Sequence, residues 1–158
     1  MTGSAGAASQ TFSIQSQAQI PTILELAISQ TGASELRFGN IRPSALDATE
    51  AGPLSIIIDV TSNIGSRYQV TQAISGPLLN ASGDEITPDH LTFTTTSTHS
   101  TGSAVGSPTV VVASSQAIYT SNPQGASDSI RADYKLTIPP SQAPGDYSAQ
   151  MTYTVSSL

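Results

Sequence analysis

The 158-residue chain contains no cysteine and no tryptophan. Without cysteine there is no disulfide framework, no thiolate nucleophile and no cysteine-ligated metal. An extracellular address stays open, because a chain of this length can bury a core without covalent staples. Charge is also scarce. Only 10% of residues are Asp, Glu, Lys or Arg, against about 25% in ordinary domains, so Ser, Thr, Gln, Gly and Ala must fill the surface. The five basic residues, Arg37, Arg42, Arg67, Arg131 and Lys135, are scattered along a chain of net charge −6. They form no phosphate-tracking patch, which argues against nucleic acid as a partner. No apolar run approaches the roughly 18 residues needed to cross a bilayer, so the mature chain is not expected to insert in a membrane. The first eight residues have neither a basic n-region nor a hydrophobic h-region. They read as the start of a mature chain from which any export signal has been removed.

What is present is alternation. In residues 128–139, Ile130, Ala132, Tyr134, Leu136 and Ile138 alternate with Arg131, Asp133, Lys135 and Thr137. In residues 147–156, Tyr147, Ala149, Met151, Tyr153 and Val155 alternate with polar neighbours. A period of two writes a strand with one buried and one wet face. The Pro/Gly-rich stretch between the runs reads as a tight loop, and the pair as two neighbouring antiparallel strands. The same period runs through residues 12–28, interrupted by Pro21, which lacks the amide that a central ladder position needs. Either one first strand switches sheets there, or residues 12–20 form a separable arm that completes another subunit. Further strands are expected at 35–41, 54–60 and 68–73, and from Leu91 into the threonine-rich run. Residues 109–120 read as one bulged strand or two short ones, with loops at 43–53 and 98–108. About eight or nine strands and no helical period predict an all-β sandwich of immunoglobulin-like type. The expected division is a flexible leader over 1–10, a possible donor-strand arm over 11–20 and a sandwich domain over 21–158.

Signals for catalysis are weak. His99 sits in a Ser/Thr/Gly loop with no carboxylate nearby, and no serine lies in a Gly-x-Ser-x-Gly elbow. Asp84, Glu85 and Asp89 near His90 lack the ligand spacing of a calcium loop and read as a solvated acidic turn. Asn80-Ala81-Ser82 is a glycosylation sequon that matters only in a glycosylating source. Tyr68, Tyr119, Tyr134, Tyr147 and Tyr153 suit a carbohydrate platform in principle, but Tyr134, Tyr147 and Tyr153 share the apolar register of their strands, which favours core positions. No enzyme activity, metal or cofactor is expected. By contrast, Phe12, Ile14, Ala18 and Ile20 are suitable plugs for an open sheet edge, where an added strand gains main-chain hydrogen bonds and pockets at every second residue. Exchange of such an arm between identical subunits does not close and makes a fibre.

Two stretches carry a resemblance. Residues 36–41, with Phe38-Gly39 at their centre, are similar to the hydrophobic-x-Phe-Gly-x-hydrophobic region of bacterial surface β-sandwich proteins. These are the spore-coat-U-like and DUF4402-like proteins, relatives of chaperone–usher pilins. Gly145-Asp146-Tyr147 through Tyr153-Thr154-Val155 resembles the closing strand of that group and, more weakly, of WxL-type surface domains. The resemblance covers about a third of the chain, without the cysteine pair of many pilins or the tryptophan signature of WxL domains. It implies an exported subunit of an extracellular filament or surface layer. Such a subunit would polymerise with identical copies by donor-strand exchange, with an assembly chaperone as a further partner. The alternative is a carbohydrate-binding or adhesin domain of a larger surface protein.

Overall fold

The computed structural model describes residues 15, 17–29, 38–99 and 102–158. Eleven strands occur among them: β1 (Leu24–Ser29), β2 (Thr49–Ser62), β3 (Tyr68–Ile74), β4 (Leu78–Leu79), β5 (Glu85–Ile86), β6 (Leu91–Ser97), β7 (Ser103–Ala104), β8 (Thr109–Val110), β9 (Gln116–Thr120), β10 (Asp128–Ile138) and β11 (Met151–Ser157). One 3-10 turn, Pro88–His90, precedes β6, and no α-helix occurs among the described residues. The surplus over eight or nine strands comes from two-residue pieces such as β4, β5, β7 and β8, too short to write a period of two.

The strands form a five-stranded sheet in the order β1-β2-β10-β6-β8 and a four-stranded sheet in the order β11-β3-β9-β7, with β4 and β5 as a separate small hairpin. All pairings are antiparallel, and neither sheet closes into a barrel. In an immunoglobulin sandwich, strands A, B, E and D make one sheet and C, F and G the other. Here β1, β2, β10 and β6 take the places of A, B, E and D, while β3 and β11 take those of C and F.

Alternation decides which side chains meet between the sheets. On β10, Asp128, Ile130, Ala132, Tyr134, Leu136 and Ile138 point inward and the residues between them outward. Ile56, Ile58 and Val60 of β2 and Leu91 and Phe93 of β6 join them, against Tyr68, Val70 and Ile74 of β3 and Ile118 and Tyr119 of β9. Burying one such Ile, Val or Phe side chain contributes ~1.5–3 kcal/mol, so this layer dominates the stability.

Three expectations need correction. The runs at 128–139 and 147–156 are not hydrogen-bonded neighbours, because β10 lies between β2 and β6 while β11 pairs with β3 in the other sheet. Residues 139–146 form an arch that crosses the sandwich, so the two apolar faces meet across the core instead of lying side by side. The loop expected over 43–53 is shorter, since β2 already begins at Thr49. Its register against β10 shifts between Tyr134↔Leu54 and Leu136↔Ala51. This bulge leaves Gly52 and Pro53 out of the ladder, which lets a proline sit inside a long strand. Gly52 is required there. Its φ is +102°, and a Cβ would lie 2.7 Å from the carbonyl oxygen of Tyr134. Of the strand expected at 35–41, residues 35–37 lie outside the described residues and 38–41 form no strand.

Candidate functional site

The two lateral sides of the sandwich differ. On one side, the segment after β6 passes from one sheet to the other and ties them together. The Thr95 amide donates to the Val105 carbonyl at 2.7 Å, and the Val105 amide to Thr95 Oγ1 at 2.7 Å. The short strands β7 and β8 finish the two sheets there. On the other side, β1 ends the first sheet and β11 the second, and neither outer edge has a partner strand among the described residues. This is the side where strand G of an immunoglobulin sandwich would lie beside F.

The open side is apolar inside. Leu24 and Leu26 of β1 and Met151, Tyr153 and Val155 of β11 face inward at every second position, yet all five are only half-buried while packing on the core. Edge strands are usually guarded by charge, proline or extreme shortness. The seven residues of β11, Met-Thr-Tyr-Thr-Val-Ser-Ser, carry neither a charge nor a proline. Its outward residues, Thr152, Thr154 and Ser156, are small and have high strand compatibility or low bulk. An edge that is long, uncharged and backed by apolar side chains fits β-augmentation, in which an extended segment adds to the ladder.

The floor of this opening contains a polar network. Tyr134 of β10 reaches across the core, where its hydroxyl donates to Gln72 Oε1 at 2.6 Å and lies 2.8 Å from the Tyr153 hydroxyl. Gln72 Nε2 in turn donates to Gln116 Oε1 at 3.4 Å. Burial raises the Tyr134 phenol far above its ordinary value, with the neighbouring Tyr153 adding to the shift. Burial lifts Tyr153 to about 12. Both hydroxyls therefore stay protonated at any physiological pH and serve as fixed hydrogen-bonding groups.

Of the four arm residues, Ala18 and Ile20 are among those described. Phe12 and Ile14 lie outside the described residues. Ala18 and Ile20 are exposed, Ile20 by 81%, and residues 17–23 belong to no strand. Among the described residues the first strand is Leu24–Ser29, and Pro21 lies before it. Asn63 anchors the chain just after the arm. Its Nδ2 donates to the Pro21 carbonyl at 2.8 Å, the Ile23 amide donates to its Oδ1 at 2.6 Å, and its own amide donates to the Ile23 carbonyl at 3.0 Å.

The motif residues have structural work. Phe38 packs half-buried on the core near Gly52, and Gly39 adopts a φ of +73°. Tyr147 stands at the arch before β11. Its hydroxyl donates to the Ala143 carbonyl at 2.8 Å and accepts from Gln142 Nε2 at 2.8 Å. This is the tyrosine corner of immunoglobulin sandwiches, in which the tyrosine before strand F bonds back to the preceding turn. Gly145 lies against Asn80, where a Cβ would come within 2.7 Å of Nδ2. Asn80 was a glycosylation candidate, but its side chain is buried and fully engaged. Nδ2 donates to Asp84 Oδ2 at 2.8 Å, while Oδ1 accepts the amides of Ser82 and Asp84. The folded chain cannot present this nitrogen for modification.

The tyrosines do not form a surface platform. Tyr68, Tyr119 and Tyr134 are buried, Tyr147 and Tyr153 half-buried, and each hydroxyl is bonded within the protein. No group of three His, Asp or Glu side chains that could hold a metal occurs among the described residues. Asp128 is the only buried carboxylate among them. It accepts from the hydroxyls of Ser97 and Tyr119 and from the amides of His99 and Ser129. Such saturation suits a group that fastens the 97–99 segment to the start of β10. Sequence reading missed Asp128, although an acidic residue at an inward position of an otherwise apolar alternation was a signal for it.

No family model and no curated protein matches this chain. Among solved structures, a chain of a chaperone-usher pilus is similar, at 15% identity and a TM-score of 0.47 over 99% of both chains. A family 123 glycoside hydrolase from Clostridium perfringens, studied for glycolipid glycan hydrolysis, is similar at 18% identity and a TM-score of 0.43. That match covers 85% of this chain and 25% of the hydrolase. At these identities and scores, neither neighbour establishes a partner or an activity for this protein. No described helix is long and apolar enough to cross a membrane.

Proposed function

We propose that the protein is a structural subunit of a bacterial extracellular filament or surface layer, in which residues 12–20 of one copy add to the open side of another. The observation that carries this reading is the unpaired, uncharged β11 edge facing β1 across half-buried Leu24, Leu26, Met151, Tyr153 and Val155. Phe12, Ile14, Ala18 and Ile20 supply apolar groups on one face of the arm, with Ser16 at the middle position of the same face, the period of two at which a β11-like edge offers gaps. Copies joined in this way make a heterologous contact and extend into a fibre. Before assembly the same opening exposes apolar surface, so an assembly chaperone that covers it is part of the proposal, as is export to the cell surface.

The test compares two charges on neighbouring positions of the full chain. Ile14→Asp places a carboxylate on the inserted face, where an unpaired charge is strongly disfavoured. Ser13→Asp places the same charge on the outward face. Light scattering and negative-stain microscopy should find filaments or oligomer ladders for the unaltered chain and for Ser13→Asp, and monomers for Ile14→Asp. Equal assembly by all three chains would mean that the arm is not the inserted strand.

A further inference from the structure

The arm leaves the sandwich without slack. Ile20 is followed directly by Pro21, and Asn63 holds Pro21 and Ile23 against the turn between β2 and β3. If the arm fills another copy's opening, as proposed above and on which this inference rests, the donor's β2–β3 turn must abut one end of that opening. The acceptor has two such ends. One carries its own β2–β3 turn, where β1 begins opposite Ser62 and β11 ends opposite Tyr68. The other carries the 44–47 loop, the β4–β5 turn and the arch before β11.

Charge separates the two choices. Arg67 on the β2–β3 turn is exposed, and its guanidinium has no partner among the described residues. The far end carries exposed Asp47, Asp84, Glu85 and Asp146 against one exposed cation, Arg42, just before the 44–47 loop. Turn against turn brings Arg67 near Arg67 in a closed two-fold pair, whereas turn against far end sets Arg67 facing acidic groups in an open repeat. The far end is also pre-shaped for a contact. Ser44 Oγ accepts the amides of Leu46 and Asp47 at 3.2 and 3.1 Å, and the Ser141 amide donates to the Ser44 carbonyl at 3.1 Å. This loop holds Leu46 outward with 87% of its surface exposed. A loop already fixed in shape loses little freedom on docking.

We infer that the Arg67 turn of one copy docks on the acidic far end of the next, beside Leu46, so that successive copies stack head to tail. The partner is a second copy of this chain, and the contact is distinct from the strand insertion itself. Its test uses full-length chains in which Arg67→Glu is made alone and together with Asp47→Arg and Asp146→Arg. A synthetic peptide of residues 11–20, which has no body to dock, is added as a separate probe of the opening. Arg67→Glu should slow assembly about tenfold at low salt, the scale of a lost close charge pair. The triple variant should recover most of that loss, and peptide binding should be the same for every chain. Unchanged assembly of Arg67→Glu would overturn the inference while leaving strand insertion standing. So would a loss that the triple variant fails to restore. If the unaltered chain neither assembles nor binds the peptide, strand insertion fails and this contact falls with it.

Discussion

Replacing Tyr134 by Phe keeps the ring, and with it the tilted contact to Phe93 at 6.1 Å between centroids, and removes only the hydroxyl. That hydroxyl has one proton, which it gives to Gln72 Oε1, so at 2.8 Å it must accept the proton of Tyr153. The variant leaves two groups short. Gln72 is 1% exposed and cannot turn to water, so its carbonyl bears a desolvation penalty of about 1–3 kcal/mol. Tyr153 faces the open side and can rehydrate, which limits its share to about 0.5–1 kcal/mol. The expected loss is thus about 1.5–4 kcal/mol, or roughly 3–16 °C in Tm for a chain of this size. Tyr153→Phe removes a donor but leaves the Tyr134–Gln72 bond intact, so it should cost about 1 kcal/mol or less. Because the two hydroxyls share a bond, the double variant should cost less than the sum of the singles. Urea unfolding of the four chains measures all of this in one cycle. A Tyr134→Phe loss below about 0.5 kcal/mol, or a larger loss for Tyr153→Phe, would refute the assignment of Gln72 as the dependent partner.

The same phenols make stability depend on alkaline pH. Burial raises Tyr134 and Tyr153 above the ordinary value near 10, Tyr153 to about 12. Their contribution is full below pH 10. It falls as the unfolded chain ionises first, by at most ~1.4 kcal/mol per pH unit for each phenol. Urea midpoints should hold to about pH 9 and drop between 10 and 12, with a shallower drop for Tyr134→Phe. Gly52→Ala should cost at least ~2 kcal/mol in urea unfolding, because its φ of +102° and the nearby Tyr134 carbonyl leave no place for a methyl group. Tyr147→Phe should cost about 1–2 kcal/mol in thermal unfolding by breaking the tyrosine corner.

Sequence alternation located the inward faces of β1, β10 and β11 because a period of two is a local property of each strand. Ile130, Tyr134 and Leu136 are buried where the alternation puts them. It could not say which strands pair. Residues 128–139 and 147–156 carry the same period whether their loop makes a hairpin or an arch, and only the packing of both apolar faces against each other selects the arch. The Tyr147 hydroxyl bond is part of that choice, since it shapes the turn from within. Gly52-Pro53 falls in the loop expected over 43–53, and the bulge that accommodates a proline within a strand there depends on a partner about 80 residues away. The open side was legible only as its two halves, an uncharged closing strand and an alternating segment ahead of Pro21. Their meeting on one side of the molecule is a consequence of topology.

The contrast between the two sides of the sandwich bears on what the open one is for. A β-sandwich under no constraint but its own stability would cover or blunt both edges, because unpaired main-chain groups beside apolar side chains invite aggregation. This chain manages one side, where β7 and β8 are two residues long and Thr95 binds the crossing segment through both its amide and its hydroxyl. The other side has β11, with seven residues of ladder, no charge and no proline, beside a β1 whose single charged residue, Glu25, points outward. Placing a lysine at Thr152 or Thr154 would guard that edge without touching the core, since both are exposed. Under the proposed strand insertion, such a lysine beside Met151, Tyr153 and Val155 should block addition of the arm while leaving the fold stable, whereas unchanged assembly of Thr152→Lys or Thr154→Lys would place the inserted strand elsewhere.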